Sequence, residues 1–564
     1  MKRSLIAVAA LLLGSFAAQC VAFVRANGQM YDEALNLAAG VLFLRNSKVD
    51  VNPEHPPLAK ALAALPVVAL ESPAVDVDAW RADRDTFALG RRFLYEGGVP
   101  HARLLLLGRL PMVALAVALV ALTGAWALRL FGPGAALLAL ALAAFDPNLV
   151  AHGSIIGHDA PLALFATLAF FALGEHFERP HAKWLALAGV ATGLALVTKF
   201  TGLIVLAAAL ASIASRALAG AVLEHRVRAV VTSARSAAIV AGVAFVVVGI
   251  FYASHGYLAY ARGVYAQVHH QAAGHRAFFL GEVSSSGWAM YMPVALALKV
   301  PPLTVALFAV SLAVPRRGAR LDRAMHVAVV PLAAMFVAFA SIRVDIGVRY
   351  AAPLFPLLIV LASRVATMAP PLPRPGALAL AVGLGHHAIA AVRVAPHDVA
   401  FFSDAVGGPA RGHLYLSDSN LDWGQDVQAL GEWNKRTRPR RLYLSYFGTA
   451  SPEAYGVEGY QPAPNGCGNP SPPRGGVGGT GEGGEFLAVS EMNEQGVLFE
   501  DPRAYAWLRT RSPVASLGHS IDVFDITKDA GAHRALAALY TRYGPAALAP
   551  AELARAGAIE SGAR

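Results

Sequence analysis

The sequence predicts a polytopic α-helical membrane protein of about eleven transmembrane helices, followed by a soluble α/β domain. Three observations carry this. Of the 564 residues, 56% are hydrophobic and only 15% charged, against about 25% charged in ordinary soluble domains; mean hydropathy is +0.49. The apolar residues gather into separate runs of roughly 20, the length that crosses a bilayer as a helix. After Val394 the composition turns polar, with Pro and Gly punctuation.

The apolar runs fall at 4–24, 104–128, 134–150, 160–177, 184–198, 201–218, 236–254, 289–314, 324–341, 350–367 and 375–394. Met1-Lys2-Arg3 and the run from Leu5 to Ala22 have the outline of a signal peptide, but the segment is expected to stay as an uncleaved first span. The net charge of +10 does not indicate nucleic acid, because the basic residues cluster in short loops between spans. These are Arg129; Arg179 with Lys183; Arg216, Arg226, Arg228 and Arg235; Arg316, Arg317, Arg320 and Arg323; then Arg364 and Arg374. All fall on one side when the N-terminus is inside, the pattern that sets orientation in the inner membrane. An odd span count then leaves the tail outside.

The expected division is a membrane domain over 1–394, with a first outer loop at 25–101, and an extracytoplasmic α/β domain over 395–564. Within the tail, His413–Leu416 and Arg441–Leu444 read as strands and Trp423–Trp433 as a helix between them. The Gly- and Pro-rich stretch Asn465–Gly484 lacks the Lys-Ser/Thr ending of a phosphate loop. Cys20 and Cys467 lie far apart, so neither a disulfide nor a metal-ligand spacing is expected.

The conspicuous polar residues sit where spans end on the outer side. Asp32 and Glu33 follow the first span, and Asn52-Pro53-Glu54-His55-Pro56-Pro57 makes a proline-stiffened corner. A carboxylate placed there can take a proton from an incoming hydroxyl or amine. Asp159 follows Gly157-His158 at the start of a span, where an Asp also serves as a helix cap. Lys199 and Arg349 are cations on the side that the charge rule leaves poor in them, and a lipid phosphate would offset their burial. Lys299 divides evenly between that reading and a side chain that reaches to the interface. Asp418-x-Asn420-x-Asp422 spaces oxygens like the start of a calcium loop, but Trp423 and Ala429 stand where such a loop has Gly and Glu. No metal site follows, and a divalent metal stays open as the one cofactor to consider.

Asp32-Glu33, Glu54-His55-Pro56-Pro57-Leu58, Asp159-Ala160-Pro161-Leu162 and Arg349-Tyr350-x-x-Pro353 together resemble the GT-C membrane glycosyltransferases. The nearest branch is glycosyltransferase family 39, with its protein O-mannosyltransferases and lipid A aminoarabinose transferase. Gly274-His275 to Gly281-Glu282, Tyr291 to Lys299-x-Pro301, and Ser419 to Asp426 resemble a bacterial subgroup. The resemblance implies inverting transfer of a sugar from a polyprenyl-phosphate donor to a protein, lipid or glycan at the outer face of the bacterial inner membrane. It implies Asp32 as base, with Glu33, Glu54 and Asp159 at the catalytic centre. His55, His158, Lys199, His275, Lys299, Arg349 and Tyr350 would contact substrate. The aminoarabinose branch carries Lys where His55 stands. The alternative from another class is a transporter of a lipid-linked or small anionic substrate, but no internal repeat supports it.

Overall fold

The computed structural model describes residues 2–219, 226–313, 323–367, 374–466 and 483–562. Cys467, residues 467–482 of the Gly/Pro stretch, and Arg316, Arg317 and Arg320 lie outside the described residues. Helix α1 (Lys2–Ala26) leads into the first loop, which holds four helices: α2 (Glu33–Asn46), α3 (Leu58–Leu70), α4 (Val77–Asp83) and α5 (Thr86–Glu96). The bundle continues with α6 (His101–Phe131), α7 (Pro133–Ala144), α8 (Pro147–Gly153), α9 (Asp159–Glu178), α10 (Ala182–Leu196), α11 (Gly202–Ala219) and α12 (Arg226–Phe251). After α13 (Gly256–Ala273) and the hairpin β1 (Ala277–Phe279) with β2 (Glu282–Ser284) come α14 (Tyr291–Lys299) and α15 (Pro302–Ala313). Then follow α16 (Met325–Ala340), α17 (Leu354–Thr367) and α18 (Arg374–Val394).

Each of the eleven apolar runs is helical, but among the described residues only six helices are by themselves long and apolar enough to cross a membrane. Two bent pairs bring the number to eight: α7 with α8, turned by 64°, and α14 with α15, turned by 110°. Both breaks precede or contain proline, which cannot continue the helical hydrogen bonding. The remaining three runs form the shorter apolar helices α10, α16 and α17.

The first loop is far more structured than a loop. Ten consecutive residues of α2, from Glu33 to Leu42, are buried. Gly40 lets α3 come close: a Cβ there would sit 2.1 Å from the Lys60 carbonyl oxygen. The loop thus becomes a packed layer over one end of the bundle, against α6.

The tail forms a five-stranded sheet of order β4-β3-β5-β7-β6. β3 (Arg441–Ser445) runs parallel to β4 (Gln461–Pro462) and β5 (Glu485–Ser490), while β7 (Ile521–Asp525) is antiparallel to β5 and to β6 (Ala515–Leu517). Side chains alternate between its faces. Tyr443, Leu487, Val489 and Phe524 enter one core, and Leu442, Leu444, Ala488 and Val523 another. The helix expected over Trp423–Trp433 runs from Val427 to Thr437. The strand expected at His413–Leu416 does not form. That segment is mostly a 3₁₀ turn, and Leu416 makes a single bridge to Phe279 beside the β1–β2 hairpin. Leu416, with Tyr415 beside it, packs against Phe279, Tyr291 and Leu298, while Leu414 stays exposed.

The two ends of the bundle differ. At one end Arg129 binds Glu175 at 2.5 Å, and Arg323 pairs with Glu178. At the other, the first loop, the turns before α9 and α11, and the tail meet.

Candidate active site

Asp32 stands at the N-cap of α2, but its side chain makes no capping bond. It is half-buried. Burial pushes its pKa up to about 6, against the pull of Arg349, while Asp418, Glu54 and Asp159 push the same way as burial. A carboxylate so placed is ionised at neutral pH yet basic enough to take a proton. Its neighbour Glu33 faces away. Glu33 receives Arg109 through Nε at 2.9 Å and Nη2 at 2.6 Å, and the backbone N–H groups of Met30 and Ile156, both at 2.9 Å. Arg109 gives its remaining bonds to the carbonyls of Val24, Asn27 and Gly28. This buried pair fixes the chain on both sides of Asp32, and it uses up the oxygens a proton acceptor would need.

A second group lies where α9, α11 and the Val348–Ala351 turn meet. Lys199 Nζ donates to Asp159 Oδ1 at 2.6 Å, and Arg349 Nη1 lies 3.7 Å from Asp159 Oδ2. All three are more than nine-tenths buried. Two cations thus contact one carboxylate, and Asp32 acts on both from farther off. Burial lowers the Lys199 pKa against the pull of Asp159. Tyr350 lies under this ammonium, its ring centroid 4.2 Å from Nζ.

The proline corner supplies the floor. The His55 ring packs on the His158 ring, with centroids 4.2 Å apart. Burial, together with Lys199, Lys60 and Arg349, holds the His55 pKa well below 6.5, and burial does the same to His158. Both rings are therefore neutral, so His55 does not replace the cation that the aminoarabinose branch carries there. Glu54 on the same corner is exposed. Lys60 holds the corner's backbone, donating to the carbonyls of Asn52 and His55 at 2.8 and 2.7 Å.

The tail closes the site through Asp418–Trp423. Ser419 Oγ accepts from Arg349 Nε at 2.9 Å and donates to the Ile346 carbonyl at 2.5 Å. The Trp423 ring lies 4.2 Å from the Arg349 guanidinium. Asn420 Oδ1 accepts from the Val348 N–H at 2.9 Å. The Trp423 carbonyl accepts from the Tyr31 N–H at 3.0 Å, which ties this segment to the turn that holds Asp32. Burial raises the Asp418 pKa, against His275 and Arg349.

Asp32, Glu54, His55, His158, Asp159, Lys199, Arg349 and Tyr350 are thus brought together, with His275 at the edge beside Asp418. Lys299 is not among them. Its ammonium is spent on the carbonyls of Val399 and Asn420, at 2.7 and 2.6 Å, and pins the tail instead. Four residues that build the site were not among those expected from the sequence: Arg109, Lys60, Ser419 and Trp423. Arg109 had a signal: it is an ionisable residue within an apolar span, which marks a functional or structural site by default. Lys60 had none, and Ser419 with Trp423 was read as an ordinary turn and helix start. Among the described residues, one group of acids could hold a metal ion, Glu491, Glu494 and Asp522 in the α/β domain, away from this cluster.

Comparison with known proteins agrees with this architecture. Residues 105–252 match the family described as dolichyl-phosphate-mannose-protein mannosyltransferase. No curated protein matches the chain in sequence. The fold matches ArnT from Cupriavidus metallidurans in the apo state, with a TM-score of 0.50 and 12% identity, over 93% of this chain and 98% of that one. The same protein bound to undecaprenyl phosphate gives 0.48 and 13%, over 92% and 97%. The S. cerevisiae protein O-mannosyltransferase Pmt1-Pmt2 complex bound to the sugar donor gives 0.32 and 19%, over 45% and 34%.

Proposed function

We propose that this chain, whose residues 105–252 match the dolichyl-phosphate-mannose-protein mannosyltransferase family, is a GT-C membrane glycosyltransferase in which Asp32 is the base and Lys199 with Arg349 holds the phosphate of a lipid-linked sugar donor. The observation that carries this reading is the buried contact of two cations, Lys199 and Arg349, with the single carboxylate of Asp159, electrostatically coupled to an Asp32 whose side chain makes no capping bond. A phosphate offers both cations a further charge-assisted partner.

The acceptor hydroxyl oxygen attacks the anomeric carbon on the face opposite the phosphate, and its proton passes to the Asp32 carboxylate. The bond from the anomeric carbon to the phosphate oxygen breaks with its electron pair on that oxygen, so the carrier leaves as a monophosphate and the configuration inverts. Lys199 and Arg349 stabilise the charge that grows on the leaving group, in a site already arranged for it. Asp159 holds the two cations apart and in place. Glu33 and Arg109 position the Asp32 turn and do not touch substrate.

The carrier's apolar chain has a cavity of matching character. About 410 Å³ lies between α14–α15 and α16–α17, lined by residues such as Leu296, Val300, Phe308, Leu332 and Leu354. The sharp α14–α15 bend opens this space, and Leu354 follows Arg349 by one helical turn and a residue. The site and the α/β domain lie outside the cytoplasm in this reading, because the basic loops gather at the opposite end of the bundle.

ArnT, which shares the fold, has been solved with undecaprenyl phosphate, and that carrier serves as the probe. Asp32→Asn keeps the size of the side chain and removes the basic oxygen. Release of undecaprenyl phosphate from a panel of its monosaccharide esters, in membranes containing the native acceptor, is expected to fall about 10²–10⁴-fold. Binding of undecaprenyl phosphate itself is expected to stay unchanged. Native-rate release by Asp32→Asn contradicts the assignment.

A further inference from the structure

We propose that the groove between α5 and the α/β domain is an acceptor subsite for an uncharged glycan, a proposal that rests on Asp32 being the base. The groove encloses about 710 Å³, within the range of small-molecule sites. It is separate from the apolar cavity near Leu354 and from the phosphate-binding cations, none of which lines it.

Its walls are aromatic. Phe87, Tyr95 and His101 on one side face Tyr446 and Tyr460 on the other. The tyrosine hydroxyls are tied back, Tyr95 to Gln29 at 2.7 Å, Tyr446 to the Gly424 carbonyl at 2.6 Å and Tyr460 to Glu453 at 3.3 Å. That fixes the rings along the walls. Phe87 stays 41% exposed, a large apolar ring at the rim. Aromatic rings take the C–H faces of pyranose sugars, while flat polar groups such as Glu96, Asn465 and Arg91 are suited to sugar hydroxyls.

The groove's lining touches the residue that precedes the base. Phe87 meets Tyr31 edge-on, with centroids 5.3 Å apart, and Thr449 Oγ1 donates to the Tyr31 carbonyl at 2.6 Å. Asp32 is the next residue. A glycan lying in the groove therefore brings its terminal hydroxyl toward the Asp32 carboxylate.

Charge and backbone decide the class. Asp85, Glu96 and Glu453 face a single Arg91, so a phosphorylated or acidic saccharide is disfavoured. An extended peptide gains its affinity by pairing with a free strand edge. The one strand residue that lines the groove is Leu444, on the inner strand β3, so no edge is offered.

The test uses the full chain in lipid nanodiscs on a printed array of neutral oligosaccharides, acidic oligosaccharides and peptides. Neutral oligosaccharides are expected to bind. Phe87→Ala removes a wall ring, and Ala454→Trp fills the groove from an exposed position on the other side; each is expected to weaken binding by about tenfold or more. Arg129→Ala, at the far end of α9, is expected to bind as the wild type does. Binding confined to peptides or acidic glycans, no binding at all, or unchanged binding by Phe87→Ala overturns the proposal. The readout needs no transfer, so a protein that binds neutral glycans but fails to release carrier phosphate counts against the mechanism and leaves the groove standing.

Discussion

Helix α9 carries a charged cluster at each end, and the two clusters are built for different tasks. At its C-terminal end Glu175 and Glu178 meet Arg129 and Arg323. Two acids meet two cations, Arg129 is 40% exposed, and the arginines offset carboxylates placed at the unfavourable end of the helix dipole. At its N-terminal end Asp159 is the carboxylate in contact with Lys199 and Arg349, all buried, while Asp32 acts on both cations from farther off. A balanced, wet cluster holds helices together and asks for nothing more. A dry cluster in which two cations contact one carboxylate is costly unless a further anion joins it, and that imbalance is what suits this end to the proposed phosphate.

The largest expected effect separates Asp32 from its neighbour. Glu33→Gln strips a charge from the buried pair with Arg109 and should cost about 3–5 kcal/mol of stability, read as an early melting transition of the detergent-solubilised protein. A Glu33→Gln protein that melts like the wild type yet is as inactive as Asp32→Asn would move the proton acceptor to Glu33. The next effect is on pH dependence. Only ionised Asp32 accepts a proton, and its pKa stands near 6. Transfer measured as kcat/KM should therefore be flat above that value and fall about tenfold per unit below it. An acid limb that persists in Asp32→Asn would assign it to another group. The smallest effect belongs to the far end of α9: Arg129→Ala leaves the buried Glu175 carboxylate without this partner and should cost about 1–3 kcal/mol of stability, but leave transfer at the native rate.

The sequence disclosed the contrast between these ends only in part. All eleven apolar runs were visible, because a helix in lipid must be apolar along its length. Their breaks were less visible, since a bend at Pro301–Pro302 changes direction without changing hydropathy. The acids and cations of the site were legible as charges against the local rule, above all Lys199 and Arg349. What could not be read was which charges neutralise each other. Lys299 looks like Lys199 in sequence, but the fold gives it two tail carbonyls and not a carboxylate partner. Glu33 and Asp32 are adjacent, and only the position of Arg109 on α6, 76 residues later, decides which is sequestered. The first loop hid its helices because α2 is apolar almost all round, without the stripe that betrays a surface helix. The stretch at His413–Leu416 had the alternation of a strand, but its partner is a single bridge to Phe279.

The most direct test compares the two ends of α9 with one ligand. Undecaprenyl phosphate is titrated into the wild type, Arg349→Ala and Arg129→Ala in nanodiscs, and bound carrier is counted by native mass spectrometry. Loss of one charge-assisted bond to phosphate is worth about 1.5–3 kcal/mol, so Arg349→Ala should bind roughly 10- to 100-fold more weakly, while Arg129→Ala binds as the wild type does. Equal affinity for wild type and Arg349→Ala, or an equal loss in both variants, would contradict a carrier phosphate at Asp159, Lys199 and Arg349.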